Sequence, residues 1–291
     1  MSERHPQASN WKAFTLASAA ALLSSDGKPA HADQNERVSH THKTPDATPR
    51  TEVAPNVIGF HESWRDETMR EYARLFEPDG RPWREAVRRC LRRDRAGHIQ
   101  YIAPIEEATR ITGNYFPAAY VAGMVVHESR CRADMHTADG GTGFAQITPY
   151  HGQIDARFFR EATRLLGHEP DWQNNPTDNI VLGLVQLRLS EEALHSRELG
   201  LAAYNAGVQG VRDAMRAFGW CEGMPTPSLD QIHQFLPHQT HQYDARFYAA
   251  KVLATGMLAE RIRRGFNIAQ LPHLSPTIRL ANFPGAAPST R

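Results

Sequence analysis

From Asn56 onward apolar residues recur at spacings of three and four, and no run alternates apolar with polar residues for long. That pattern predicts an all-α protein. In "RPWREAVRRCLRRDR" (81–95) Trp83, Ala86, Val87, Cys90 and Leu91 make one apolar face, and Pro82 suits a first turn. Arg84, Arg88, Arg92 and Arg95 take the other side, where a solvated surface accounts for them more simply than docking on an anionic polymer or membrane. A second helix starts near Pro117, "PAAYVAGMVVHES", apolar on almost every side and therefore buried. "NIVLGLVQLRLSEEAL" (179–194) predicts a third, in which Gly183 permits close packing. "LGLAAYNAG" predicts a fourth with Gly207 as its stop, and "DARFYAAKVLATGMLAERIRR" a last long amphipathic one. There is no internal repeat.

The ends of the chain break this pattern. Arg4 and Lys12 precede the apolar stretch "AFTLASAAALLSS" (13–25), which runs toward the small-residue pattern Ala30-His31-Ala32. Residues 1–32 therefore predict a secretory signal peptide, too short and too poor in large apolar residues to remain as a membrane span. The expectation is an exported protein, periplasmic or secreted, with no integral membrane segment after cleavage. No cysteine follows the apolar run to carry a lipid. Residues 33–56 are polar and Pro/Thr-rich and read as a flexible linker, in which His40 and His42 are solvated rather than metal-binding. Residues 57–104 are expected to form an N-terminal helical extension, 105–265 the main domain, and 266–291 a Pro-rich tail.

Composition adds bounds. The 291 residues are 41% hydrophobic, enough for a core. With 33 Lys plus Arg against 32 Asp plus Glu, no whole-molecule field points to nucleic acid. An oxidising compartment would pair two of Cys90, Cys131 and Cys221. Sequence leaves the pair open, with a buried, unpaired Cys90 and a Cys131–Cys221 bridge favoured because Cys90 lies on an apolar face.

One carboxylate stands out. Glu128 closes the apolar helix, where burial and the negative end of the helix dipole both disfavour its ionised form and push its pKa upward. An acid held protonated in this way suits proton donation to a glycosidic oxygen; a structural Glu held by Arg130 or Arg132 is the alternative. Gly140, Gly141 and Gly143 follow, with Thr137 and Gln146 as neutral hydrogen-bonding groups suited to sugars. No Lys follows these glycines, so they do not form a phosphate loop. His127-Glu128 opens like a zinc-protease motif but meets Cys131 where the second His belongs; His136, His151, His168 and His195 have no fixed geometry. No metal and no cofactor is expected.

These residues carry a resemblance. "HESRCRADMHTADGGTGFAQITP" (127–149) resembles the motif of the soluble-type lytic transglycosylases, a branch of the lysozyme-like superfamily. "NPTDNIVLGLVQLRL", "LAAYNAG" and "DARFYAAKVL" resemble three further family segments in the expected order, over about 105–258. The resemblance implies Glu128 as sole catalytic acid/base, with Ser129 supporting it. Thr137 stands where Ser is common, Gln146 would line the glycan groove, Tyr204 and Asn205 would form its far wall, and Tyr248 would face the catalytic centre. The implied substrate is the peptidoglycan glycan strand, with no nucleic-acid partner and a possible place in a secretion or envelope-spanning complex. Cys131 and Ala145 depart from the family pattern, and 151–176 is longer than in many relatives, which leaves room for a lid or partner surface. A hydrolytic muramidase using Asp139 or Asp134 as second carboxylate, and a peptidoglycan-binding protein without activity, are the alternatives.

Overall fold

The computed structural model describes residues 62–149, 153–237 and 245–266. The expected signal peptide (1–32), the expected linker (33–56) with His40 and His42, the first residues of the expected extension, His151, and the expected tail beyond Phe266 lie outside the described residues. The helices are α1 (Glu62–Arg74), α2 (Arg81–Arg89), α3 (Ala103–Ile111), α4 (Ala118–Ser129), α5 (Ala156–Leu166), α6 (Pro176–Leu194), α7 (Arg197–Phe218), α8 (Leu229–Ile232) and α9 (Ala245–Arg263). Short 3-10 turns at Pro78–Gly80 and His233–Phe235 connect neighbours.

The fold is mainly helical, as the periodicity predicts, with one exception. The helix expected over 81–95 stops at Arg89, and β1 (Leu91–Arg93) pairs antiparallel with β2 (Ile99–Tyr101). The reversal is written in Asp94-Arg95-Ala96-Gly97. The Asp94 carboxylate accepts the backbone N–H groups of Ala96 and His98, and Gly97 has φ 87°. The guanidinium of Arg92 consequently donates to Tyr101 O, and Arg93 to Gly97 O, instead of extending a helix face. The predicted apolar face survives: Ala86, Val87 and Cys90 are fully buried, with Trp83 and Leu91 packed at the edge.

The centre of the molecule is the crossing of α4 and α9. A Cβ on Gly123 would sit 2.1 Å from Val252 O, and one on Gly256 would sit 2.6 Å from Ala119 O. The two backbones are thus in contact at a spacing only glycine allows. Around them Val121, Met124, Val125 and Leu258 are buried, each side chain contributing about 2 kcal/mol. α1 and α2 lie against α9, and their Tyr72, Leu75 and Val87 join the same core as Val126 and Leu258. The Tyr101 hydroxyl donates to Glu260 Oε2 (2.9 Å), tying the hairpin to α9.

α6 begins one turn earlier than its apolar run. Asn175 caps it by accepting from the backbones of Thr177 and Asp178, and Pro176 follows the cap. Gly207 acts as a break within α7 rather than as its stop: at φ 73°, ψ 155° it leaves the helix, which resumes immediately and ends before Gly219. Within 151–176 the chain forms α5, packed along α6 with Glu161 between Arg164 and Arg188.

The cysteine expectation is overturned. Cys90 bonds to Cys131 (Cα–Cα 5.6 Å), and Cys221 is free and exposed. Cys90 is buried as expected, but its apolar face lies against the carboxyl end of α4, which brings Cys131 beside it. Among the described residues no helix is long and apolar enough to cross a membrane.

Candidate active site

Glu128 is the penultimate residue of α4 and is half-buried. Across from it on α9, the Tyr248 hydroxyl donates to Glu128 Oε1 at 2.7 Å. The α4–α9 crossing fixes this pairing, because Gly123 and Val252 in contact place Tyr248, one turn before Val252, level with the end of α4. Tyr248 lies parallel to Tyr204 of α7 (centroids 6.2 Å, 14° between planes). The Tyr204 hydroxyl in turn donates to Ala145 O at 2.7 Å. Gly183 makes that arrangement possible, since a Cβ there would lie 2.8 Å from the Tyr204 oxygen. Burial, then the nearby Glu128 charge, hold both phenols well above their ordinary pKa. They are neutral hydrogen-bond donors.

The other expected residues divide by direction. Ser129 is fully buried; its hydroxyl donates to Val125 O and accepts from Arg132 N, closing the helix end. The chain then turns through Arg130 and Cys131, both left-handed (φ 54° and 57°). Thr137 Oγ1 donates to Gln146 Oε1 (3.2 Å), and Gln146 Nε2 donates to Gly143 O (2.8 Å) and Met135 O (3.2 Å). Thr137 and Gln146 therefore fold the glycine loop on itself, and Gly141 leaves the space between them. Asn205 is buried with Oδ1 making no hydrogen bond, beside Tyr204.

Asn179 was missed as a site residue. Its side chain accepts from Ala145 N (2.7 Å) and donates to Thr142 O (3.0 Å) and Trp172 O (2.9 Å), fastening the loop to the start of α6. The available clue was a polar amide opening an otherwise apolar helix. Of the alternative second carboxylates, Asp134 is exposed and paired with Arg132, and Asp139 is half-buried. Cys131 is committed to its disulfide, which removes it as a metal ligand. Among the described residues no three His, Cys, Asp or Glu side chains converge on a common point.

His127 points away from the glycine loop, stacked on Trp83 of α2 (centroids 4.6 Å). Burial, then the positive charge of Lys251, lower its pKa to about 3, against a hydrogen bond with the Lys251 backbone. The sign follows: below its ordinary 6.5 the unfolded imidazole takes a proton that the folded one refuses, so stability falls with pH. About 1 kcal/mol should be lost in the first pH unit below 6.5, and His127→Asn should flatten that slope in urea titrations. An unchanged slope would show that His127 is not buried neutral.

Residues 107–223 match the family described as Transglycosylase SLT domain. This segment is thus similar to that domain, and the described residues are mostly helical. Two similar solved structures are an inactive mutant of lytic transglycosylase Slt from Pseudomonas aeruginosa and the 70 kDa soluble lytic transglycosylase from Escherichia coli. The first is 20% identical at a TM-score of 0.42, covering 57% of this chain and 24% of its own. The second is 20% identical at 0.41, covering 55% of this chain and 24% of its own. The chain thus spans about a quarter of either protein. No curated protein matches it.

Proposed function

We propose that the protein is a peptidoglycan lytic transglycosylase, cleaving the β-1,4 bond between N-acetylmuramic acid and N-acetylglucosamine with Glu128 as its one acid/base. The observation that carries the reading is the Tyr248–Glu128 hydrogen bond at the end of the buried helix, in a chain with a segment similar to the transglycosylase SLT domain. Tyr248 donates to Oε1 and orients the carboxyl group from which the proton is delivered. That proton goes to the glycosidic oxygen as the C1–O bond breaks. The substrate's own N-acetyl carbonyl oxygen takes up the electron-poor C1, forming an oxazolinium. Glu128, now a carboxylate steadied by Tyr248, accepts the proton of the sugar's 6-hydroxyl. O6 then attacks C1, the oxazolinium opens, and a 1,6-anhydro ring closes with Glu128 reprotonated. No water enters, so one carboxylate serves both steps.

Ser129, Thr137, Gln146, Tyr204 and Asn205 support this site in different ways. Ser129 holds the helix end, Thr137 and Gln146 shape the loop, Tyr204 backs Tyr248, and Asn205 is buried beside Tyr204. Export to the periplasm and service to an envelope-spanning machine fit this activity, the latter by analogy of fold alone. Tyr248→Phe should keep the fold and lower turnover on sacculi about 10- to 100-fold, the worth of one hydrogen bond to a charged group. Full activity in that variant would remove Tyr248 from the mechanism. Mass spectrometry of the soluble products decides the reaction. Muropeptides ending in 1,6-anhydro-muramic acid support the lyase; reducing ends assign a hydrolase and a role for Asp139 or Asp134; binding to sacculi without products assigns a binding protein.

A further inference from the structure

The arginines of 81–95 have no part in the Glu128 chemistry. Seven of them share this stretch with two carboxylates, Glu85 and Asp94, in a chain whose formal net charge is +1. Both carboxylates are already committed: Glu85 pairs with Arg81 (2.9 Å), and Asp94 holds the backbone of the hairpin turn. Arg92 lies 3.6 Å from Glu106. The other five, Arg84, Arg88, Arg89, Arg93 and Arg95, make no ion pair among the described residues. Three of these are nonetheless held in place. The Arg84 guanidinium donates to Leu75 O and Glu77 O, Arg89 to Arg130 O (3.0 Å) and Arg93 to Gly97 O (2.9 Å). A carbonyl partner fixes the direction of a guanidinium, leaves most of its five N–H groups open and does not cancel its charge. Arg88 and Arg95 are exposed and make no hydrogen bond among the described residues.

A single helix over 81–95 would set these cations on one solvated side. Because α2 ends at Arg89, they form a belt instead: Arg88 and Arg89 close the helix, Arg92 and Arg93 leave opposite faces of β1, and Arg95 sits in the turn. The belt runs up to the candidate active site. Arg130, whose guanidinium lies 5.2 Å over the Trp83 ring of α2, is two residues beyond Glu128. The Cys90–Cys131 bond (Cα–Cα 5.6 Å) puts the end of α2 within about 17 Å of the Glu128 backbone.

The surroundings narrow the ligand. Among the described residues the exposed large apolar side chains are Phe218, Met224, Phe235 and Phe266, none of them in this stretch. The belt therefore has no apolar anchor for lipid or for the centre of a protein interface. Cations on both faces of a hairpin do not all meet a flat membrane at once. They suit a flexible chain that carries separate anionic groups.

We propose that this belt holds the free carboxylates of the peptide stems on the glycan strand, with Arg130 and Arg89 nearest the cut and Arg88, Arg93 and Arg95 further out. The placement of the strand rests on the proposed function; the charge of the belt does not. An extended stem of about four residues spans about 14 Å, which with the reach of an arginine side chain covers the distance from Glu128 to α2.

Sedimentation would compare the full chain carrying Glu128→Gln, which leaves sacculi whole, on untreated sacculi and on sacculi whose carboxyl groups have been converted to methylamides. Binding to the amidated sacculi should be about fivefold weaker or more. Combining Arg88→Gln, Arg93→Gln and Arg95→Gln should cause the same loss on untreated sacculi, since each exposed charge contact contributes little alone. Arg157→Gln, Arg160→Gln and Arg164→Gln together, on the exposed side of α5, remove the same charge elsewhere and should leave binding unchanged. Equal binding to both kinds of sacculi, an indifferent belt variant, or an equal loss in the α5 variant would overturn the proposal. Belt-dependent binding that survives amidation would assign the belt to phosphate groups of the wall. Belt-dependent binding to vesicles of phosphatidylglycerol and phosphatidylcholine in equal parts, tighter than to sacculi, would assign it to a lipid surface; either result overturns the stem assignment. Binding is read without cleavage, so these outcomes hold whichever products the parent protein releases.

Discussion

Glu128→Gln is expected to melt within about 2 °C of the parent protein and to release soluble muropeptides about 1,000-fold more slowly or worse. The two halves of that result have separate causes. Gln keeps the shape of Glu, and its side-chain oxygen still accepts from Tyr248 at the place Oε1 occupies, so the α4–α9 contact is undisturbed. The amide cannot deliver a proton to a leaving oxygen or remove one from a 6-hydroxyl, so both chemical steps fail together. On the proposed mechanism one residue serves both steps, so no second carboxylate rescues the first. Residual turnover near the parent level would require another acid, and Asp139, half-buried in the glycine loop, would be tested next. A large loss of melting temperature would instead make Glu128 a structural partner of Tyr248.

How much of this site can be read from the chain depends on the distance over which each contact is made. Glu128 is legible because a lone carboxylate at the end of an apolar helix is a local anomaly. The apolar faces of α2, α4 and α6 are legible from spacing alone, and so is the packing role of Gly183. Tyr204 and Tyr248 are legible only through the family resemblance: nothing in either segment says that Tyr248 meets a residue 120 positions earlier. That meeting depends on Gly123 and Gly256 letting two helices touch, a property of the pair rather than of either sequence. The hairpin after Cys90 was hidden by a helical pattern that runs through it, although Asp94 and Gly97 carried the turn. Asn179 looked like the first residue of a helix, and its role exists only once the glycine loop is folded over it.

Opening the Cys90–Cys131 disulfide, by reduction or in a Cys90→Ser/Cys131→Ser double variant, should lower unfolding free energy by about 4 kcal/mol. That is the loop-closure entropy for the 41-residue separation. Both sulfurs lie in the core, with Cys90 fully buried and Cys131 7% exposed, so the native fold shields the bond and reduction should proceed mainly from opened molecules. The bond has a second consequence, because Cys131 is three residues beyond Glu128 and follows Arg130 in a left-handed turn. Without the covalent tie the turn after α4 is held by noncovalent contacts, among them the hydrogen bonds of Ser129 to Val125 O and Arg89 to Arg130 O, each worth about 1 kcal/mol. The reduced protein should therefore lose activity at a lower urea concentration than its global unfolding midpoint, whereas the oxidised protein should lose both together. Urea titrations with and without a phosphine reductant, followed by far-ultraviolet circular dichroism and by product release, measure the two transitions. Coincident transitions in the reduced protein would limit the disulfide to global stability, and an unchanged midpoint would show that the two cysteines are not bonded in solution.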